Sequence, residues 1–191
     1  MRKLLFQEYV TLDGYAAGPN DELDFFDSIA GQGDTERENM EFLRSIDTML
    51  LGARTYRLFA GYWPTAADEL IAPVLNKMRK VVISSTLDSA PWGDWEPGTV
   101  VRGDAVKAVA DLKREDGKNI VLWGSITLFH ALLAAGLVDE VQLRLCPLVL
   151  GAGKSVFPPG QPVGFELIEA RPWATGGVLL RYEPVAIGAT S

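Results

Sequence analysis

The stretch Asn119–Val141, NIVLWGSITLFHALLAAGLVDEV, leaves few architectures open to this chain. Ile120-Val121-Leu122-Trp123 is an unbroken apolar run, short enough for a strand buried on both faces. Gly124-Ser125 interrupts it. From Ser125 to Ala135 the residues Leu128, Phe129, Leu132 and Leu133 recur at three- and four-residue steps, the spacing of a helix. Gly136 stands where a helix-ending glycine belongs, and Asp139-Glu140 leads into another strand. A helix N-terminus just after a strand can hold an anion, because its first N–H groups are unpaired and its dipole end is positive. The same pattern also describes an ordinary strand-to-helix turn.

Two earlier segments repeat the arrangement. Asp47–Leu51 reads as a short buried strand, and Gly52-Ala53-Arg54-Thr55 then opens a short helix. Arg54 can reach a phosphate with its guanidinium, and Thr55 can bond a phosphate oxygen or cap the helix. Lys80–Ile83 is a further strand, closed by Ser84-Ser85-Thr86, whose hydroxyls can bond a ligand or their own turn. Three strands thus end in turns of similar chemistry, and in an open α/β sheet such ends meet at one crevice. The first strand, Lys3–Leu12, ends at Asp13-Gly14. Asp13 is there either a ligand residue or a turn former.

The remaining pattern sets the element order. Thr35–Ile46 and Asp104–Glu115 read as helices, as does Ala66–Met78, with Pro73 kinking or splitting it. Leu87–Pro97, with Trp92 and Trp95 among Pro, Gly and Asp, reads as a surface loop. Val141–Leu150 alternates, placing Gln142, Arg144 and Cys146 opposite Val141, Leu143 and Leu145. Phe165–Ala170 and Val178–Tyr182 are late strands joined through Gly176-Gly177 as a hairpin. Alternating units followed by a hairpin predict an α/β fold: a mixed, mostly parallel sheet, helices on both faces, and a C-terminal antiparallel hairpin. One domain over residues 1–185 and a frayed tail at 186–191 are expected.

Composition narrows the partners. A formal net charge of −7 argues against nucleic acid or an anionic membrane surface. No apolar run reaches membrane-spanning length. One Cys and one His leave no soft-ligand metal cluster, and the lone Cys146 suits a reducing, cytoplasmic setting.

In this order, Thr11-Leu12-Asp13-Gly14-Tyr15-Ala16-Ala17-Gly18, Leu51-Gly52-Ala53-Arg54-Thr55-Tyr56, Lys80–Thr86, Trp123-Gly124-Ser125, Gly136–Glu140 and Cys146–Gly153 form a series of blocks. The series resembles the dihydrofolate-reductase-like superfamily, in particular stand-alone bacterial members related to the C-terminal reductase domain of riboflavin biosynthesis. The resemblance implies an NADPH crevice. Gly52, Arg54 and Thr55 would hold one end of the pyrophosphate, and Ser84, Ser85 and Thr86 would face the adenosine ribose and its 2′-phosphate. Gly124, Ser125, Ile126, Thr127 and Leu128 would wrap the other phosphate. Dihydrofolate reductases often carry arginine at the position of Ala53, so NADH stays open beside NADPH.

The implied activity is hydride transfer from NAD(P)H to a small, pterin- or pyrimidine-like substrate. One alternative is the pyrimidine reductase of riboflavin biosynthesis, although Trp123 stands where those enzymes tend to place a glutamate. Another is a non-catalytic nucleotide-binding module on the same fold. Reduction needs a proton as well as a hydride. Asp13 is the expected donor, with Tyr15 or a bound water as other options and Asp24 and Glu38 as further acids walling the substrate site; Trp63 and Phe157 can stack on a flat ring. The resemblance also implies a homodimer, with Val141–Leu150 and the glycine-rich turn after it as interface elements.

Overall fold

The computed structural model describes residues 1–27, 34–160 and 162–186. Residues 187–191 of the expected tail lie outside them. In chain order the elements are β1 (Leu4–Thr11), β2 (Tyr15–Ala17), α1 (Asp34–Leu43), β3 (Ile46–Gly52), α2 (Ala53–Tyr62), α3 (Ala72–Lys77), β4 (Arg79–Ile83), β5 (Ala90–Trp92) and β6 (Trp95–Val101). There follow α4 (Ala105–Arg114), β7 (Asn119–Trp123), α5 (Ile126–Ala134), β8 (Glu140–Cys146), β9 (Lys154–Ser155), β10 (Gly164–Pro172) and β11 (Val178–Val185).

Nine strands form one sheet in the order β10-β11-β8-β1-β7-β3-β4-β6-β5. The centre, β8-β1-β7-β3-β4-β6, is parallel throughout. The β10–β11 hairpin closes one side antiparallel. This is a dihydrofolate-reductase-like mixed sheet. Parallel neighbours require crossovers, and the helices cover both faces. On one face Leu4, Phe6, Leu50, Ile120 and Leu122 pack with Val109 and Leu112 of α4 and Phe129, Leu132 and Leu133 of α5. On the other, Leu5, Met49, Leu51 and Val121 pack with Leu43 of α1, Tyr56 of α2 and Leu75 of α3. Adjacent residues of one strand feed opposite cores, which explains why these strands read as continuous apolar runs.

The helix in the Asn119–Val141 unit ends as its glycine requires. Gly136 takes φ +66°, its N–H bonds Leu133 O at 3.0 Å and Leu137 N bonds Leu132 O at 3.0 Å, pairing the last carbonyls of α5. Asp104 caps α4 by accepting from Lys107 N at 3.1 Å.

Three expectations change. Leu87–Pro97 is not a loop: its Pro and Gly residues sit in an edge hairpin, β5–β6, where a missing ladder donor is tolerated. Trp92 is fully buried there and donates through Nε1 to Asn76 Oδ1 at 2.7 Å. The Ala66–Met78 helix shrinks to α3, with Pro73 in its first turn, the one place a helix accepts a missing N–H. The Val141–Leu150 strand stops at Cys146 before Pro147 and lies inside the sheet between β1 and β11, so β8 itself is no edge for a partner. Among the described residues no helix is long and apolar enough to cross a membrane.

Candidate active site

Strand order places the three sequence turns side by side. β7, β3 and β4 are adjacent and parallel, with Leu50 opposite Leu122 and Gly52 opposite Ile83. The Gly124 turn, the Gly52 turn and the Ser84 turn therefore leave the same edge of the sheet. The first two are locked together. Gly52 N donates to Ser125 Oγ at 2.8 Å, and Ser125 N donates to Thr55 Oγ1 at 3.0 Å. Ser125 Oγ lies 3.0 Å from Thr55 Oγ1. Gly124 and Ser125 both take left-handed backbone, φ +54° and +53°. A Cβ on Gly124 would stand 2.9 Å from Thr55 Oγ1, so only glycine lets the turns approach this closely. Ser125 carries the same conformation with a side chain, a modest strain held by its bonds to Gly52, Thr55 and the Trp123 carbonyl.

α2 and α5 each start without a side-chain cap on their first-turn N–H groups. Uncapped donors at two helix starts in contact suit the diphosphate of a dinucleotide. Ile126, Thr127 and Leu128 belong to the first turn of α5, and Thr127 is exposed. Arg54 is more than half exposed and ion-paired with Asp21, which also pairs with Lys154. Ser84 departs from its expected role. Its Oγ accepts from Thr86 N at 3.1 Å and Leu87 N at 3.0 Å, holding its own turn, while Ser85 and Thr86 stay exposed. Replacing Thr55 with valine keeps the shape and removes the acceptor for Ser125 N; urea unfolding should lose about 1–3 kcal/mol.

Asp13 does not fit the role of proton donor. Its carboxylate accepts from Thr11 Oγ1 at 2.6 Å, Gly151 N at 2.7 Å and Leu150 N at 3.2 Å. The Thr11 bond first, then the two backbone N–H groups, hold it below the usual carboxylate range. An acid so stabilised stays ionised and anchors the β1–β2 turn to the glycine-rich turn after β8. Tyr15 lies in β2 against Gly153, and Asp24 is exposed at the head of a single 3-10 turn, Asp24–Phe26. Glu38 is engaged with Trp173 Nε1 at 3.0 Å and braces the β10–β11 hairpin. Trp63 and Phe157 cannot stack on one ring from two sides, because they pack in the cores on opposite faces of the sheet. Phe59 and Tyr62 neighbour Trp63, whereas Phe129 and Phe165 neighbour Phe157.

The acid the crevice does contain is Glu8, which the sequence reading passed over. β1 pairs with β7 only as far as Gln7 opposite Trp123. Glu8 is the first β1 residue past that pairing, where the chain of β7 turns away at Gly124. Backbone N–H groups of Tyr9, at 3.0 Å, and Gly124 donate to its carboxyl. Burial outweighs both bonds and pushes its pKa up to about 8 from the ordinary 4.5. An acidic residue in the middle of the strand LLFQEYVT was the available signal. Cys146 is fully buried, and burial pushes its thiol up to about 12, which suits a packed thiol rather than a nucleophile. His130 is engaged with Val156 O at 3.0 Å. Among the described residues no group of three or more His, Cys, Asp and Glu is gathered to hold a metal ion.

Comparison with known proteins bears on the family and the fold. The family model described as the RibD C-terminal domain matches residues 2–179. The uncharacterized protein YyaP of Bacillus subtilis (strain 168) is 29% identical over 186 residues, covering 95% of this chain and 94% of its own. Among solved structures, a candidate riboflavin biosynthesis protein from Shewanella sp. PV-4 superposes with a TM-score of 0.77 at 20% identity, covering 96% of this chain and 99% of that one. Dihydrofolate reductase from Enterococcus faecalis, solved in complex with NADP(H), superposes with a TM-score of 0.64 at 13% identity, covering 96% and 97%.

Proposed function

Since the chain belongs to the RibD C-terminal domain family, we propose that it is an NAD(P)H-dependent reductase of a small, flat heteroaromatic substrate. The observation that carries this reading is the junction of the β3–α2 and β7–α5 turns, two uncapped helix starts joined through Gly52, Thr55 and Ser125. A bound nicotinamide cofactor supplies the hydride. Arg54 and Thr55 would hold one end of its diphosphate, with the N–H groups of Ile126, Thr127 and Leu128 at the other. Ser85 and Thr86, one strand farther out, suit the ribose end. Glu8, protonated at neutral pH in its shielded position, is the group that gives the substrate its proton. Trp123 donates to Gln7 Oε1 at 2.9 Å, which fixes both side chains on the face of the sheet opposite Glu8.

The test is titration with NADPH and with NADH, following nicotinamide fluorescence, then turnover on pterins and on pyrimidines that include the riboflavin-pathway intermediate. Saturable binding of either cofactor is expected. Failure of both to bind at millimolar concentration would remove the reading. Binding without oxidation of NADPH across the panel would favour a nucleotide-binding module. We further propose a homodimer; light scattering that shows a monomer at micromolar concentration overturns it.

A further inference from the structure

An unpaired buried cation stands one residue past Glu8 but on the other face of the sheet: Arg144 of β8 is opposite Tyr9 in the parallel register, where β1 has already lost its β7 neighbour and its edge is open. Arg144 is 2% exposed. Its guanidinium donates to Tyr9 Oη at 3.0 Å and to Asn39 Oδ1 of α1, and it lies over the Tyr9 ring at 5.3 Å. Every one of these partners is neutral. Nε is buried without any hydrogen-bond partner, and among the described residues no carboxylate pairs with the group.

Among the described residues, two other buried cations are matched by carboxylates. Arg2 faces Asp47, and Lys113 faces Asp139 at 2.5 Å. Lys80 has no carboxylate within ion-pair distance, but its ammonium donates to two carbonyl oxygens and lies over the Trp92 ring. Arg144 keeps an unpartnered N–H as well, and burying a guanidinium without a counter-charge is costly. The surroundings are also particular. Tyr9 stacks on Phe26 with centroids 4.6 Å apart and planes 21° apart, and Tyr9, Phe26 and Asn39 are each only partly buried. A stacked aromatic pair and an unsatisfied guanidinium nitrogen thus meet among partly exposed side chains past the end of the β1–β7 pairing.

We propose that Arg144 recognises a planar carboxylate on the heterocyclic substrate, with Tyr9 and Phe26 contacting the ring. The inference rests on the reductase reading for the presence of a substrate beside β1, and deepens it by naming the substrate's charge. A carboxylate fits better than a rounder anion because the guanidinium edge presents parallel N–H groups in a plane.

The probes are two matched pairs, orotate with uracil and pterin-6-carboxylate with pterin, and inorganic phosphate as an anion of different shape. Thermal melts are run without cofactor on the wild type, Arg144→Met and Arg144→Lys. At least one carboxylate should raise the wild-type Tm while its neutral parent does not. Its affinity should fall roughly tenfold to hundredfold in Arg144→Met, and Arg144→Lys should recover only part. Arg144→Met should also melt no lower than wild type without ligand, because it relieves an unpaired charge. The proposal is overturned if carboxylates and parents act alike, if phosphate alone protects, if Arg144→Met keeps the response, or if that variant melts far lower. Loss of NADPH binding with carboxylate discrimination intact would instead count against the reductase reading alone.

Discussion

Glu8→Gln should lower kcat by about 10²–10⁴-fold while leaving NADPH affinity nearly unchanged. Glutamine keeps the volume and a carbonyl oxygen for the N–H groups of Tyr9 and Gly124, but has no acidic proton to give. In the wild type, kcat/KM should be level at neutral pH and fall tenfold per pH unit once the carboxyl ionises above about 8. The variant should show no such limb. A stability measurement checks the same group without a substrate. The folded pKa is raised above the ordinary 4.5, so the folded state holds a proton that the unfolded chain releases. Stability is therefore full below about pH 4.5 and declines as pH rises through about 8. Glu8→Gln should outlast wild type in urea near pH 9 by about 2–4 kcal/mol, a figure already reduced for incomplete shielding, and hold no advantage near pH 4. Parallel stability curves for the two proteins would mean that Glu8 is ionised in the fold and cannot be the donor.

A comparable loss, in stability rather than rate, is expected from Phe129→Ala. Phe129 is fully buried and stacks on Phe6 of β1 with centroids 3.6 Å apart and planes 10° apart. Phe157 closes the cluster at 6.1 Å. Truncation leaves a cavity under α5 that neighbours held by the sheet cannot fill, costing about 3–5 kcal/mol. For a chain of this size that is a drop in Tm of roughly 6–20 °C by calorimetry. Because α5 presents the Ser125 turn, NADPH affinity should weaken as well. A loss below about 1 kcal/mol would show that α5 is held mainly by other contacts.

The sheet and its crossovers were legible because they rest on local information. Ile120–Trp123 reads as a two-faced strand, Gly136 as the end of α5 and Gly176-Gly177 as a hairpin turn; each outcome depends on residues within one or two turns of chain. The β5–β6 hairpin was not legible. Pro91, Gly93 and Pro97 argue against strands locally, and only the edge position of β5, with Trp92 buried against Asn76, makes them acceptable. In the crevice, the Gly52, Arg54, Thr55 and Ser125 cluster could be named from turn chemistry. Glu8 could not be assigned, because its chemistry depends on burial and on partners far away in sequence, the Gly124 N–H among them.

Asp13 marks the limit in the opposite direction. A carboxylate after a strand suits acid chemistry on paper, yet Leu150 and Gly151, brought beside it by the fold, keep it ionised. By itself, then, the sequence determined the central strands and their main crossover helices and which strand ends carry phosphate-compatible turns, since hydrophobic period and turn chemistry are properties of short stretches. Tertiary structure alone decided which carboxyl is shielded enough to keep a proton and which guanidinium is left without a counter-charge. Both depend on the dielectric and the partners that distant parts of the chain provide.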